Sequence, residues 1–475
     1  MSADSRSGAA TGEAAPVQSD SIELSGTVLT ALRGTLRGTV TVRSDDAYAA
    51  ARRVWNGAIN RYPSAIVACA DAEDVASALR IASEYGLAVT VRGGGHNVAG
   101  RSIRDGALLL DLSRLNSVVV NAEAGIATVQ GGALWRDVDA ATARVSLATT
   151  GGLISTTGVG GFTLGGGAGW LMRRYGLACD NVLAASVILG DGRIVRASPV
   201  DHADLYWGLR GGAGGFGVVA SFDYRVYPLS HVLAGLIIHP GEQALGALQA
   251  FRDFAAEAPD EFCGLAVIVH APPLPFLAPA WHGRPVVILA VSWCGDHAQG
   301  ERALKPLRAY GQPLAEHLGW MPYVQWQQMF DPSAPPGLSY YWKTANYVSL
   351  PDSTLKVLAA AANELPSPRT EIHLQHMGGA VSRVPREDTA FAHRDVRFFV
   401  NLLGITDTPD QVTGLRTGIR ALYAKITPDA APTILPNFSD QDDAQAEHQF
   451  GADLAGRLAN LRRRYDDKGL LSGGP

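Results

Sequence analysis

Residues Val91–Gly100 read VRGGGHNVAG, and the fold turns on how this stretch is read. Three glycines in a row follow an arginine, and a histidine and an asparagine follow the glycines. Glycine permits φ > 0 and close approach of a ligand to the main chain, and its successive N–H groups can form an anion-binding nest. One reading is a phosphate cradle with His96 beside it. The other is a tight strand-to-turn connection with an incidental histidine. These ten residues do not separate the two.

A second block, TGGLISTTGVGGFTLGGGAGWLMRRYGLACDNV at Thr150–Val182, places seven glycines between Gly158 and Gly169. Two glycine-rich loops in one domain suggest a long ligand lying across both. A third block, LRGGAGGFGVV, sets Gly212, Gly214 and Gly217 in GxGxxG spacing. The dinucleotide fingerprint needs a strand before it and a helix after it. Here DLYWGLRG reads as helix and VVASFDYRVYPL alternates as a strand, so the helix N-terminus that would hold a pyrophosphate is on the wrong side. A Rossmann site is rejected.

The 475 residues suffice for two or three domains, with 47% apolar and 18% charged residues and a formal charge of -5. Such a balance leaves no electrostatic footprint for nucleic acid. Cys69, Cys179, Cys263 and Cys294 lie far apart without a CxxC pair, which argues against a zinc site and demands no oxidising compartment. The first 38 residues read as a disordered tail, not a signal peptide. No run of 18 apolar residues occurs, so no membrane span is expected and the default compartment is the cytoplasm.

From Tyr48 to Asn60 the pattern suits a helix. AIVACA reads as a strand, DAEDVASALRIASEYG as a helix capped by Asp71, and LAVTVRGGG as a strand meeting glycines. ALLLDLS, SVVVNAEAGIATVQGG and LAASVILGDGRIVRAS are β-rich, with GDGR at Gly190–Arg193 as a hairpin turn. Residues 231–428 change texture: AVIVHA, PVVILAVSW, YYWKTANYV and EIHLQHM alternate with helical stretches, which predicts an antiparallel sheet backed by helices. His373 and His376 in HLQH would face opposite sides of a strand, a poor metal site.

Taken together and in this order, VRGGGHNVAG, GVGGFTLGGGAGWLMRRYGLACDN and ADLYWGLRGGAGGFGVVASF resemble the FAD-binding domain of berberine-bridge-type flavoproteins of the vanillyl-alcohol-oxidase superfamily. GGAVSRVPREDTAFAHRD and RLANLRRRYDD extend the likeness over nearly the whole chain from about Thr39, with bacterial secondary-metabolism and antibiotic-pathway members looking most alike. The resemblance implies an α+β fold: a two-part FAD-binding domain (39–230), an antiparallel-sheet substrate domain (231–428) and a C-terminal segment (429–475) returning to the FAD domain. It implies FAD held by Arg92, Gly93, Gly94, Gly95, His96, Asn97, Gly131, Thr156, Gly158, Gly160, Gly161, Gly165, Gly166, Asn181, Val218 and Asn437, with His96 as a covalent anchor.

Two departures matter. Some members carry a second flavin link through a cysteine in G-x-C-P-T-V-G-V-G-G; here the stretch is GLISTTGVGG, so Ile154 leaves one bond only and makes oligosaccharide oxidation less expected. The family's Y-V-N-F tyrosine base is also missing, because the segment reads LPNF, with Leu435 or Pro436 near that position. On EIHLQHM, Glu371, His373 and Gln375 share one strand face, and Tyr341 is a candidate to join them from a neighbouring strand. Glu371, His373 and Tyr341 are therefore the candidate catalytic groups.

The expected function is an FAD-dependent oxidase taking a hydride from a small organic substrate to flavin N5, with O2 as acceptor, in secondary metabolism. A dehydrogenase, a flavin-retaining catalyst of a non-redox cyclisation and an NADPH-dependent reductase are the alternatives. No metal, nucleic acid or membrane is expected as partner, and the protein is expected to be a monomer or homodimer.

Overall fold

A helix starts where an oxygen-bearing side chain can receive its first free N–H groups. Asp71 does this for Ala72–Tyr85 by accepting from the Glu73 and Asp74 N–H groups, and Gly86 closes the helix at φ 65°. The computed structural model describes residues 23–440 and 449–471. The helix covers a four-stranded sheet in which Ala65–Ala68 and Val89–Arg92 both run parallel to Leu108–Asp111, while Thr39–Thr41 adds an antiparallel edge. Leu108, Leu109 and Leu110 are fully buried, as a central strand covered on both faces requires. Val89–Arg92 then delivers the chain into Gly93.

A second sheet is antiparallel throughout, in the order Val118–Asn121, Ile126–Gln130, Val218–Arg225, Val182–Ile188, Ile194–Ala197. The last two strands form the hairpin expected around GDGR. The segment after the third glycine block is indeed a strand, preceded by the helix Ala203–Leu209.

The third sheet has seven antiparallel strands, in the order Ala315–Pro322, His231–Pro240, Pro285–Trp293, Phe262–His270, Glu371–His376, Phe398–Thr406, Ser339–Tyr347. A sheet with one wet face alternates apolar and polar residues, but Phe398–Thr406 is buried at every position. Both faces are covered. On one side Ile372, Leu374, Val400 and Leu402 pack with Phe251, Leu358 and Ile419 of three helices. On the other, Leu265, Val267 and Ile288 pack in a cluster with Trp170, Met172 and Trp326.

The end of the chain rejoins the first half. Helix Ala452–Tyr465 lies against Ala203–Leu209, with Tyr465 donating to Asp204 at 2.7 Å, and the Val89 N–H donates to the Leu470 carbonyl at 2.7 Å.

Two expectations need correction. The disordered tail does not reach residue 38: Gly26–Thr35 is a helix that buries Val28 and Leu32, capped by Ser25. Residues 1–22 of that expectation lie outside the described residues. The helix read over Tyr48–Asn60 spans only Tyr48–Ala51, and the chain then turns so that Trp55 is buried beside the glycine loop.

Candidate active site

One glycine of each loop is needed by the other loop. A Cβ on Gly94 would overlap the Gly158 nitrogen, a Cβ on Gly158 would overlap the Gly94 nitrogen, and one on Gly131 would strike the Val219 carbonyl. The loops thus pack backbone against backbone. Gly161 differs: nothing lies within 4 Å of where its Cβ would be, and it faces the cavity beyond. So the Gly94–Gly158 contact accounts for one glycine in each loop, and the others are crowded by different neighbours or left open to a ligand.

That cavity is continuous. All three glycine blocks line it, and the seven-stranded sheet supplies the opposite wall through Tyr340, Trp342, Glu371, His373, Gln375 and Asn401. Among the expected cofactor residues, Gly93, Gly94, Gly95, His96, Asn97, Gly131, Gly158, Gly160, Gly161, Gly165, Val218 and Asn437 line it. Thr156 stands behind, with its Oγ1 2.9 Å from His96 Nε2.

Three other expected cofactor residues, Arg92, Gly166 and Asn181, do not line the cavity. The Arg92 guanidinium folds back to the Ala51 and Arg53 carbonyls and pairs with Asp111 at 2.7 Å, which braces the turn from outside the cavity. Gly166, at φ 114°, is pressed against Phe391. Asn181 donates to the Tyr175 and Leu177 carbonyls and accepts from Tyr227, tying loops together away from the cavity.

His96 sits in a stacked column. Its ring lies 5.0 Å from that of Trp55 at 19°, and Trp55 lies 3.7 Å from Tyr340 at 21°. Burial pushes the imidazole down to about 4, so the ring is neutral near pH 7.

Opposite, Glu371 Oε2 and His373 Nε2 are 2.7 Å apart, side by side on one face of their strand. Glu371, His373 and Gln375 alternate with Ile372 and Leu374 along their strand and line the cavity, as does Asn401, which interrupts the apolar run of the neighbouring strand Phe398–Thr406. Gln375 Nε2 is buried with no hydrogen-bond partner among the described residues. An unmet buried donor costs about 1–3 kcal/mol, which a ligand acceptor relieves. Tyr341 is a correction. It points to the helix-covered side, where Arg420 Nε donates to its hydroxyl at 2.8 Å, and it cannot reach the cavity. Its neighbours Tyr340 and Trp342 face the site instead.

Asn437 of the LPNF segment accepts from the Gly167 N–H at 2.9 Å and donates to the Phe162 carbonyl at 3.0 Å, so it clamps the second glycine block. Ile154 lines the cavity where a second flavin link would need sulfur. Cys179 is fully buried, and burial pushes its thiol well up. His376 accepts a hydrogen bond from Arg173 at 2.8 Å, and no group of three metal-ligating side chains occurs among the described residues.

Sequence reasoning missed Trp55, Tyr340, Trp342, Asn401 and Arg101 as cavity residues. Gly214, Gly215 and Gly217 line the cavity as well, although the block is no Rossmann motif. The cradle of close-packed glycines, the open edge at Gly161, a neutral histidine and an unmet amide donor fit an FAD.

Comparison with known proteins agrees. Residues 63–198 match the family model described as FAD binding domain. The chain is 31% identical over 291 residues to (R)-6-hydroxynicotine oxidase of Paenarthrobacter nicotinovorans, covering 61% of this chain and 62% of that one. The solved structure of 6-hydroxy-D-nicotine oxidase from Arthrobacter nicotinovorans superposes with a TM-score of 0.84 at 24% identity, over 95% and 99% of the two chains. Berberine bridge enzyme from Eschscholzia californica gives 0.80 at 20% identity over 94% and 97%. Glucooligosaccharide oxidase from Acremonium strictum, described with a 6-S-cysteinyl, 8α-N1-histidyl FAD, gives 0.81 at 21% identity over 93% and 97%. No helix among the described residues is long and apolar enough to cross a membrane. The chain is an FAD-dependent oxidoreductase, and its fold is that of berberine bridge enzyme and the related flavoprotein oxidases.

Proposed function

We propose that the protein is an oxidase that removes a hydride from a small organic substrate of secondary metabolism, with FAD linked through one bond to His96 and O2 as final acceptor. The observation that carries the reading is the Glu371–His373 pair, held 2.7 Å apart on the sheet face across the cavity from His96. Bound FAD supplies the two-electron chemistry, accepting hydride at N5. The chain's own residues do the rest.

Glu371 and His373 take the substrate proton as the hydride leaves, one holding it and the other orienting its partner. Trp342, Tyr340 and Phe399 supply apolar walls that exclude water and favour a flat or apolar substrate. Asn437 keeps the glycine block in place without a proton to exchange. Four buried free cysteines suit a reducing compartment, which supports a cytoplasmic site.

Mixing the purified yellow protein anaerobically with candidate metabolites tests the reading. Bleaching of the flavin, followed by recovery and peroxide on admitting air, is the expected result. Bleaching without recovery in air makes the protein a dehydrogenase. A substrate converted with no bleaching at any stage defeats the redox reading.

A further inference from the structure

Two constraints act on the His96 ring. Trp55 fixes its plane by stacking, and Thr156 Oγ1 stands 2.9 Å from Nε2, while Thr156 is not among the residues that line the cavity. No hydrogen-bond partner takes Nδ1 among the described residues, and His96 lines the cavity. A neutral imidazole has one N–H and one lone pair, and the partner of one nitrogen decides which atom keeps the lone pair.

We propose that Thr156 is the positioning residue for flavin attachment: its hydroxyl holds His96 through Nε2 and so presents Nδ1 as the bonding nitrogen. The inference rests on the covalent reading of His96 above. When the Thr156 oxygen accepts from Nε2–H, the lone pair lies on Nδ1, the nitrogen left free for a ligand in the cavity that His96 lines. The reverse arrangement would put the proton on Nδ1 and block attachment. Burial keeps the ring unprotonated, so the lone pair is available near pH 7.

The step balances as follows. A bond forms between Nδ1 and the flavin 8α carbon, one C–H bond of that methyl group breaks, and Nε2 gives up its proton. The C–H electron pair is taken up by the flavin and passed to dioxygen, which leaves as hydrogen peroxide with the two protons. Once Nε2 has lost its hydrogen, the same hydroxyl can turn and donate to it. Serine can serve both stages, and valine neither.

The test compares wild type, Thr156→Val and Thr156→Ser, each prepared as apoprotein from riboflavin-starved cells and given FAD in air. Flavin fluorescence of the denatured chain and the mass of the His96 peptide report attachment. Fluorescence quenching at early times reports non-covalent binding. We expect all three to bind FAD, the serine variant to attach it within about threefold of the wild-type rate, and the valine variant at least about tenfold more slowly, the scale of one lost hydrogen bond. Attachment at the wild-type rate in Thr156→Val overturns the inference alone. Equal slowing in Thr156→Ser overturns it too, because shape and not the hydroxyl would then be at issue. Wild type without covalent flavin overturns the histidyl reading and the inference with it. If the valine variant does not fold, Thr156→Ala against Thr156→Ser makes the same comparison.

Discussion

Asp139 and Gln327 come from different halves of the chain and meet where water does not reach: Gln327 Nε2 donates to Asp139 Oδ2 at 3.3 Å and to the Gly152 carbonyl at 3.3 Å. Both side chains are buried, and Gln327 Oε1 has no partner among the described residues. Burial, opposed by the Gln327 bond and reinforced by Asp331, pushes the Asp139 carboxyl up to about 7. A protonated carboxyl can donate to Oε1; an ionised one cannot.

The sign of the pH effect follows. A carboxyl with a raised folded pKa binds its proton more tightly when folded, so its stabilising contribution is complete below about pH 4 and is lost as pH rises through about 7. Asp139→Asn keeps the shape and removes the titration. We expect its melting temperature to exceed that of wild type by roughly 1–3 °C at pH 8 and to show little difference at pH 5. Parallel melting curves of the two proteins from pH 5 to 8 would refute this.

Acid precipitation should leave FAD on the wild-type chain and release it from His96→Ala. The flavin should map to the peptide carrying His96 only. A thioether at any of the four cysteines, Cys179 included, would contradict the proposed single bond.

Loss of a general base slows a reaction by roughly 10²–10⁴. Glu371→Gln or His373→Ala should slow anaerobic flavin reduction on that scale with FAD still bound. Tyr341→Phe should leave the reductive rate intact and cost about 1 kcal/mol of stability through the lost Arg420 bond. A slow Tyr341→Phe with fast Glu371 and His373 variants would reverse the assignment.

Two glycines of one block should respond differently to alanine. Gly158→Ala forces the Gly94 backbone aside and should destabilise the protein by about 1–3 kcal/mol. Gly161→Ala has space for its methyl, so thermal stability should hold while FAD affinity falls, because the group enters the cavity. Thermal melts and FAD titration, done in a His96→Ala background, separate the two.

What could be read from the letters was local. Asp71 before an apolar repeat marked a helix, Asp-Gly marked a hairpin, and clustered glycines marked the cradle. Strand alternation correctly grouped Glu371 with His373, since period two needs no partner. It could not say which parity of Tyr340–Val348 faces the site, because that depends on pairing with Phe398–Thr406 and on where the helices lie; hence Tyr341 was chosen over Tyr340 and Trp342. Trp55 gave no signal at all, as its place is set by a turn whose residues read like helix. The same holds for Arg92 and Asn181: a polar side chain beside a ligand loop serves equally well as a brace, and only three-dimensional partners distinguish the roles.

The seating of Leu470 beside Val89, and of the terminal helix against Ala203–Leu209, bears on biogenesis. The strand that delivers the chain into the glycine turn is completed by residues that follow the substrate domain, and Asn437, from the same C-terminal segment, clamps the second glycine block. A ribosome-bound chain that has emerged only through residue 428 has all the strands of the substrate sheet, yet its cradle lacks the clamp and the closing helix. The cradle is therefore complete only once the segment from Asn437 to Leu471 is in place, and loss of that segment should strike the nucleotide-binding half, far from the cut in sequence.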